Sequence, residues 1–118
     1  MPSDAVALRR WLDDINYHIT LARKFAEGMT YDDFCGDPRT VYAVTRCLEI
    51  ISEASRRLPE ELKARHPAIQ WRDMAGAGNV YRHQYENVAA REVWDTLRLH
   101  LPPLCAVIEQ ELAALGGG

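Results

Sequence analysis

Apolar side chains recur along most of this chain at spacings of three and four residues, the repeat of a helix with one buried face. The first such run extends from about residue 4 to 27, with Ser3 as the predicted N-cap and Gly28 at the C-terminal end. Its buried face is predicted to comprise Leu8, Leu12, Ile15, Ile19, Ala22, Ala26 and Met29, widened by Trp11 and Phe25. A long amphipathic helix is therefore expected to open the fold.

Two helix-start signals follow. Residues 30–33 resemble a short capping box, which predicts a brief turn or helix before Gly36. Asp37 followed by Pro38 is typical of a cap residue with proline at the first helical position. The helix that starts there is predicted to bury Val41, Val44, Cys47, Leu48, Ile51, Ala54 and Leu58. It ends at Leu58 and Pro59, and residues 59–65 form a short helix before His66 and Pro67.

The remaining elements are also predicted to be helical. One helix runs from about residue 71 to 85, and residues 87–90 form a junction. The last helical region restarts near Pro102, and its apolar positions are Val93, Trp94, Leu97, Leu101, Leu104, Val107, Ile108, Leu112 and Leu115. Because no period-two pattern is found, the predicted fold is all-α, an up-and-down bundle of four main helices. Residues 1–115 form one domain, and residues 116–118 form a flexible tail.

Composition narrows the class of protein. The chain has 118 residues, of which 47% are hydrophobic and 26% charged, typical of a globular domain that buries a single core. It contains neither a bilayer-length apolar run nor a secretory signal, so a cytoplasmic location is expected. The formal net charge is −3, so any contact with nucleic acid must come from a local cluster, for example around Arg72 and Arg82.

The cysteines and histidines give no sign of a metal or cofactor site. The three cysteines, at positions 35, 47 and 105, fit neither a disulfide framework nor a zinc motif, and structural thiols are expected. The four histidines, at positions 18, 66, 83 and 100, lack the helical pairing of a metal site.

The segment of residues 76–87 carries the clearest functional signal. Its chemistry centres on Asn79, His83 and Tyr85, and Val80 is its only large aliphatic residue. Two glycines in this segment each cost about 1 kcal/mol relative to alanine in a helix, which indicates that close approach or an exposed polar face is needed there. On a helix, Arg72, Gly76, Asn79 and His83 would share one face. Histidine serves as an acid or base near neutral pH.

Several phrases in this order resemble the HepT-like family of HEPN domains over nearly the whole chain. These phrases are residues 48–54 (LEIISEA), residues 58–62 (LPEEL) with His66-Pro67, residues 71–76 (WRDMAG), His83-Gln84-Tyr85 and Val93-Trp94. The resemblance implies a small α-helical homodimer that acts as a metal-independent endoribonuclease. It also implies the toxin role in a toxin–antitoxin pair, with a minimal nucleotidyltransferase as the antitoxin.

The family's site pattern is an arginine, four to six residues, and then histidine-x-tyrosine, with asparagine commonly after the arginine. The resemblance assigns the asparagine to Asn79, the histidine to His83 and the tyrosine to Tyr85, where some members receive AMP from the antitoxin. The arginine is missing, because Gly78 precedes Asn79 and residues 76 and 77 are Gly and Ala. Arg82 is the substitute within the segment.

Each of these residues also has a structural interpretation. His83 and Tyr85 could be packing residues, Asn79 a helix-ending residue, and Arg72 a solvated charge or the ion-pair partner of Asp73 or Glu53. Arg72 and Glu53 are expected to support the site from outside the reacting group. Glu49 lies four residues before Glu53 on the same helix, and the two carboxylates either face the polar segment or belong to a solvated face. Trp71 and Trp94 are expected to be anchors of the core or of a dimer interface.

Three functions are consistent with the sequence. The first is the toxin ribonuclease. The second is a HEPN dimer that has lost catalysis with its arginine and serves as a binding or regulatory module. The third is a plain helical scaffold.

Overall fold

The computed structural model describes residues 2–74 and 86–116, with side chains for residues 4–74 and 90–116. Its helices are α1 (Pro2–Phe25), α2 (Tyr31–Cys35), α3 (Pro38–Arg56) and α4 (Glu60–Ala64), followed by α5 (Glu86–Asp95), a π-helical turn (Thr96–His100) and α6 (Leu101–Ala114). Residues 71–74 are also helical. No strand occurs in these ranges, so the predicted all-α bundle is confirmed.

The N-terminal part follows the predicted capping chemistry. In α2, the Thr30 hydroxyl accepts a hydrogen bond from the Asp33 amide, and the Asp33 carboxylate accepts one from the Thr30 amide, each at 3.1 Å. In α3, the Asp37 carboxylate accepts from the Thr40 amide at 3.3 Å, with Pro38 in the first turn. Gly28 adopts a φ of 77°, a left-handed conformation in which a side chain would be strained.

The core is built from the predicted apolar stripes. Helix α1 packs mainly against α3 and α6, whereas α2 packs against α5 and α3. The fully buried large side chains are Leu12, Ile15, Ile19, Phe34, Val44, Leu48, Ile51, Leu62, Val93, Leu101, Leu104 and Ile108. Burial of these side chains supplies the main favourable free energy of folding.

Two predicted boundaries were wrong. Helix α1 begins at Pro2, so Ser3 lies inside the first turn and is not the N-cap; proline is tolerated there because the first amides have no partner within the helix. Residues 87–90 are not a junction, since they belong to α5. Ala90 is buried and the helix continues through it to Asp95.

The expected restart near Pro102 is a widened helical turn. Pro102 and Pro103 have no amide hydrogen, and a proline ring inside a helix clashes with the carbonyl four residues earlier. The π-helical turn Thr96–His100 precedes them, and the Leu101 amide donates to the Thr96 carbonyl five residues back. The chain thereby passes into α6 without leaving helical geometry.

The cysteines are all free thiols, in three different environments. Cys47 is buried, Cys105 is half-buried, and Cys35 is exposed. Burial raises the pKa of the Cys47 thiol, consistent with the expected structural role. No helix in the described ranges is long and apolar enough to cross a bilayer.

Candidate active site

The predicted reacting residues Asn79, Arg82, His83 and Tyr85 lie outside the described residues. The structure describes both flanks of their segment, the helical residues 71–74 before it and α5 from Glu86 after it. The described surroundings of the site are the side chains that hold these two flanks, together with the predicted supporting residues Arg72 and Glu53.

The flank before the segment is held by Trp71. Its half-buried ring packs against the core, and its indole Nε1–H lies 3.1 Å from the carbonyl oxygens of both Lys63 and His66. Met74 is 9% exposed, and its amide donates to the Gln70 carbonyl at 3.0 Å. The predicted role of Trp71 as a core anchor is confirmed, and residues 71–74 are thereby fixed against the end of α4.

The loop that supplies those carbonyl oxygens is itself tied to α6 through Glu111. This carboxylate accepts hydrogen bonds from Arg65 Nη2 at 2.8 Å and Arg65 Nε at 3.3 Å, and another from His66 Nε2. Glu111 is 7% exposed. The Arg65 guanidinium foremost, and His66 after it, hold the pKa of the Glu111 carboxyl below its ordinary value, although burial opposes this shift.

This network was not predicted from the sequence, although the sequence carries a signal for it. Glu111 follows Leu104 and Ile108 at spacings of seven and three, which places a carboxylate on the buried face of α6. A charged residue at such a position requires a partner. Arg65 and His66, at the end of a short helix, can both donate hydrogen bonds to a carboxylate. Their proximity to Glu111 could not be predicted, because they lie 46 and 45 residues away from it in the sequence.

Arg72 lines a cleft of about 540 Å³ with Arg56, Glu60, Lys63, Ala64 and Trp71. We call this the Arg72 cleft. Arg72 is exposed and forms no ion pair with the described residues, so the interpretation of Arg72 as a partner of Asp73 or Glu53 receives no support. The described residues that line the cleft include three cationic side chains and one carboxylate.

Glu53 is connected to this cleft because it forms an ion pair with Arg56, one of the residues that line it. Its carboxylate contacts Arg56 at 3.4 Å and Arg57 at 3.3 Å, on the exposed side of α3. Glu49 lies one turn earlier and pairs with Arg46 at 3.6 Å. The ion pairs of Glu53 therefore orient two arginines, one of which lines the Arg72 cleft.

The flank after the segment is held by an aromatic cluster between α2 and α5. The Trp94 ring lies 5.2 Å from the Phe34 ring and 6.0 Å from the Tyr31 ring. Arg98 stacks over Trp94 at 5.2 Å, and Arg91 over Tyr31 at 5.0 Å. The predicted anchoring role of Trp94 in the core is confirmed, and α5 is held against α2.

No group of three or more histidine, cysteine, aspartate or glutamate side chains in the described parts of the chain is arranged to hold a metal ion. Every buried polar side chain among the residues that the structure describes has a hydrogen-bond partner. The described residues on either side of the segment therefore provide a cleft with positive charge. They also provide two flanks that are anchored by Trp71 and Trp94.

The described helices form an all-α bundle, and the polar segment that contains His83 lies in the sequence between residues 71–74 and α5. A family model described as "Ribonuclease HepT-like" matches residues 15–111. The chain belongs to this HepT-like ribonuclease family.

Curated relatives agree with this assignment. A protein of Thermococcus cleftensis named probable ribonuclease HepT is 38% identical over 100 residues, covering 85% of this chain and 91% of the relative. Two others carry names that mark them as inferred RNases. One, from Caldanaerobacter subterraneus subsp. tengcongensis, is 32% identical over 96 residues, covering 81% and 86% of the two chains. The other, from Methanocaldococcus jannaschii, is 29% identical over 110 residues, covering 93% and 91%. No solved structure gives a significant match.

Proposed function

We propose that this protein is a metal-independent endoribonuclease whose reacting residues are Asn79, His83, Tyr85 and Arg82. The observation that carries the proposal is the family match over residues 15–111, since it spans the whole segment that contains these side chains. The anchoring of both flanks, by Trp71 and by Trp94, supports it, because a catalytic group must be held to within a fraction of an ångström to be effective.

The proposed reaction is a transesterification within the RNA backbone. A base removes the proton from the 2′-hydroxyl, the 2′-oxygen attacks phosphorus, and the bond from phosphorus to the 5′-oxygen breaks. An acid protonates the departing 5′-oxygen, so the products are a 2′,3′-cyclic phosphate and a 5′-hydroxyl. His83 supplies one of the two proton-transfer roles because imidazole titrates near neutral pH.

The remaining groups stabilise charge and fix geometry. Asn79 and Tyr85 orient the scissile phosphate or fix the His83 tautomer. An arginine is needed to stabilise the charge on phosphorus with its planar fork of donors. Because Gly78 occupies the position of the family arginine, we assign this role to Arg82, which directly precedes the histidine.

A homodimer completes the proposed site. One chain supplies a single histidine in this segment, and the second proton-transfer group would come from the same segment of a second copy. Gly76 and Gly78 would allow the close approach of two such segments.

The biological role that fits this chemistry is that of a toxin restrained by a nucleotidyltransferase antitoxin, with Tyr85 as the site of AMP attachment. This part of the proposal rests on the family resemblance. It is tested by whether a small nucleotidyltransferase gene lies beside this one, and by whether induction of the chain alone arrests growth.

Cleavage of labelled RNA by the purified protein in EDTA tests the enzymatic proposal. We expect cyclic-phosphate products with the parent and none with His83→Ala, while His100→Ala, which removes an exposed histidine from the π-helical turn, cleaves like the parent. Circular dichroism checks that both variants remain helical. Undiminished cleavage by His83→Ala contradicts the assignment.

The loss of the motif arginine at Gly78 favours a second function, in which the dimer no longer cleaves RNA and acts as a binding or regulatory module. This second function would be favoured over the ribonuclease if expression of the chain does not arrest growth and the purified parent does not cleave the labelled RNA. Restoring the arginine through Gly78→Arg would then be expected to create cleavage activity.

A further inference from the structure

The Arg72 cleft is assembled from three separate elements. Arg56 is the last residue of α3, Lys63 comes from α4, and Trp71 and Arg72 precede the proposed catalytic segment. Its volume of about 540 Å³ lies in the range of sites that hold small organic molecules. The cleft is large enough for one nucleotide unit.

Positive charge is concentrated in this cleft, although the chain as a whole carries a formal net charge of −3. Among the described residues that line it, Arg56, Lys63 and Arg72 are cationic and Glu60 is the one carboxylate; Arg56 also pairs with Glu53 at 3.4 Å. The Glu60 side chain is 93% exposed and lies 3.8 Å from Lys63 Nζ. At this distance, and with the carboxylate in solvent, the pair is weak, so an incoming anion can compete with Glu60 for the Lys63 ammonium.

The backbone positions that carry the two cations are held close to each other. The Trp71 indole donates to the carbonyl oxygen of Lys63 itself at 3.1 Å, and Arg72 is the next residue after Trp71. The Lys63 side chain is 14% exposed, so its hydrocarbon stem is packed and its position restricted. The bidentate contact between Arg65 and Glu111 fixes the end of α4 to α6. Pre-formed cationic sites lose less entropy when they bind.

We propose that the Arg72 cleft binds the phosphate backbone of single-stranded RNA beside the bond that is cleaved. Arg72 and Lys63 contact successive phosphates, and the Trp71 ring lies alongside the sugar or base between them. This inference rests on the proposed function, because it takes RNA as the substrate. Arg72, which lines the cleft, lies only a few residues before the proposed catalytic segment in the sequence. Since phosphate contacts carry no sequence information, the cleft aligns the strand and does not select its sequence.

An aromatic ring next to two cations favours RNA over an acidic protein surface. Single-strand binding sites combine a positively charged groove with aromatic rings on which bases stack. An acidic protein partner would engage the cations without requiring the ring. RNA binding that neither cleft variant alters would therefore leave the cleft to another partner and overturn the proposal.

The test measures binding of a short fluorescein-labelled single-stranded RNA by fluorescence anisotropy over a range of salt concentrations. The His83→Ala full-length chain is used so that the RNA is not cut. Arg72→Ala and Lys63→Ala are each added to it, and Arg39→Ala, an exposed arginine of α3 outside the cleft, is the matched control.

We expect Arg72→Ala and Lys63→Ala to weaken binding by roughly 3- to 10-fold and to lower the slope of log affinity against log salt by about 0.7 each, the value for one phosphate contact on a single strand. Arg39→Ala should leave both quantities unchanged. Lys63→Arg and Arg72→Lys keep the charge and should bind within about twofold of the parent, which separates loss of charge from loss of folding.

The outcomes separate this inference from the proposed function. If the parent cleaves RNA but neither cleft variant alters affinity or salt slope, the cleft inference is wrong and the ribonuclease assignment stands. If the parent binds RNA through the cleft but cleaves none, the catalytic proposal fails alone. An equal loss with Arg39→Ala would overturn the cleft inference, because attraction would then be general.

Discussion

Arg65 donates two hydrogen bonds to Glu111, from Nη2 at 2.8 Å and from Nε at 3.3 Å, across a sequence separation of 46 residues. This contact ties the end of α4 to the C-terminal helix. The carbonyl oxygens of Lys63 and His66, which bracket Arg65, both accept from the Trp71 indole. Residues 71–74, which precede the proposed catalytic segment in the sequence, are thus connected to α6 through hydrogen bonds at both ends of the loop between Lys63 and Trp71.

The first prediction concerns Glu111→Gln and pH. The folded-state pKa of this carboxyl lies below its usual value near 4.5, so its charge stabilises the fold above that pH. This contribution is lost as the pH falls through 4.5 towards the folded-state pKa. At neutral pH we expect Glu111→Gln to lower the free energy of unfolding by about 2 kcal/mol.

Urea denaturation of the parent and the variant over a pH series checks this prediction. The difference between their unfolding free energies should be largest near neutral pH and should shrink below pH 4.5. Glu109→Gln, on the exposed side of the same helix, is the control. A difference that stays constant over the whole series would show that the Glu111 charge is not the cause.

The second prediction concerns Trp71→Phe, which keeps an aromatic ring but removes the indole N–H. The Lys63 and His66 carbonyls would lose a common donor, and we expect a loss of about 1–2 kcal/mol in the free energy of unfolding. The backbone amide of residue 71 donates to the Ile69 carbonyl, and that of Met74 donates to the Gln70 carbonyl. Hydrogen exchange at both amides should accelerate in the variant. RNA cleavage should fall more than stability alone explains, because Arg72 and the following segment lose their support.

Trp11→Phe is the matched control, since Trp11 is half-buried against the same core. Its indole nitrogen makes no hydrogen bond with the residues that the structure describes. Equal effects of the two substitutions on exchange at residue 74 would mean that ring size, and not the hydrogen bond, supports the segment.

Much of the fold was predictable because helical periodicity and capping are local properties. The stripe from Leu12 to Ala26, the Thr30–Asp33 capping box and the Asp37 cap all require only residues within a few turns of one another. The π-helical turn was not predicted, because the response of a helix to Pro102 and Pro103 depends on packing of the surrounding helices.

The candidate site was predictable in a different sense. Asn79, His83 and Tyr85 were found by their chemistry and their order in the chain, and their roles stay predictions. The Arg72 cleft joins residues from α3, α4 and the 71–74 turn, and sequence spacing alone does not bring Arg56, Lys63 and Arg72 together. Glu111 was missed for the same reason, because its partners lie 45 and 46 residues away.

The third prediction compares two phenylalanines of different burial. Phe34, in α2, is completely buried and packs against Trp94 at 5.2 Å, whereas Phe25, at the end of α1, is 41% exposed. We expect Phe34→Ala to cost about 3–5 kcal/mol, because it removes buried apolar surface and leaves a cavity. Phe25→Ala should cost well under half of that. Thermal and urea denaturation of both variants measure the difference, and comparable costs would contradict the packing described for α2.

The fourth prediction concerns Arg82, the substitute for the arginine that Gly78 replaces. If its guanidinium stabilises charge on the scissile phosphate, Arg82→Ala should lower kcat by about 100-fold or more, with a much smaller change in KM, because the interaction is strongest in the transition state. Arg82→Lys should recover little, since an ammonium lacks the planar fork of donors.

Arg72→Ala should instead raise KM, because the Arg72 cleft binds the strand in the ground state and the transition state alike. Steady-state cleavage of a short labelled RNA by these three variants distinguishes the two roles. Unchanged kcat in Arg82→Ala would show that this arginine takes no part in the reaction.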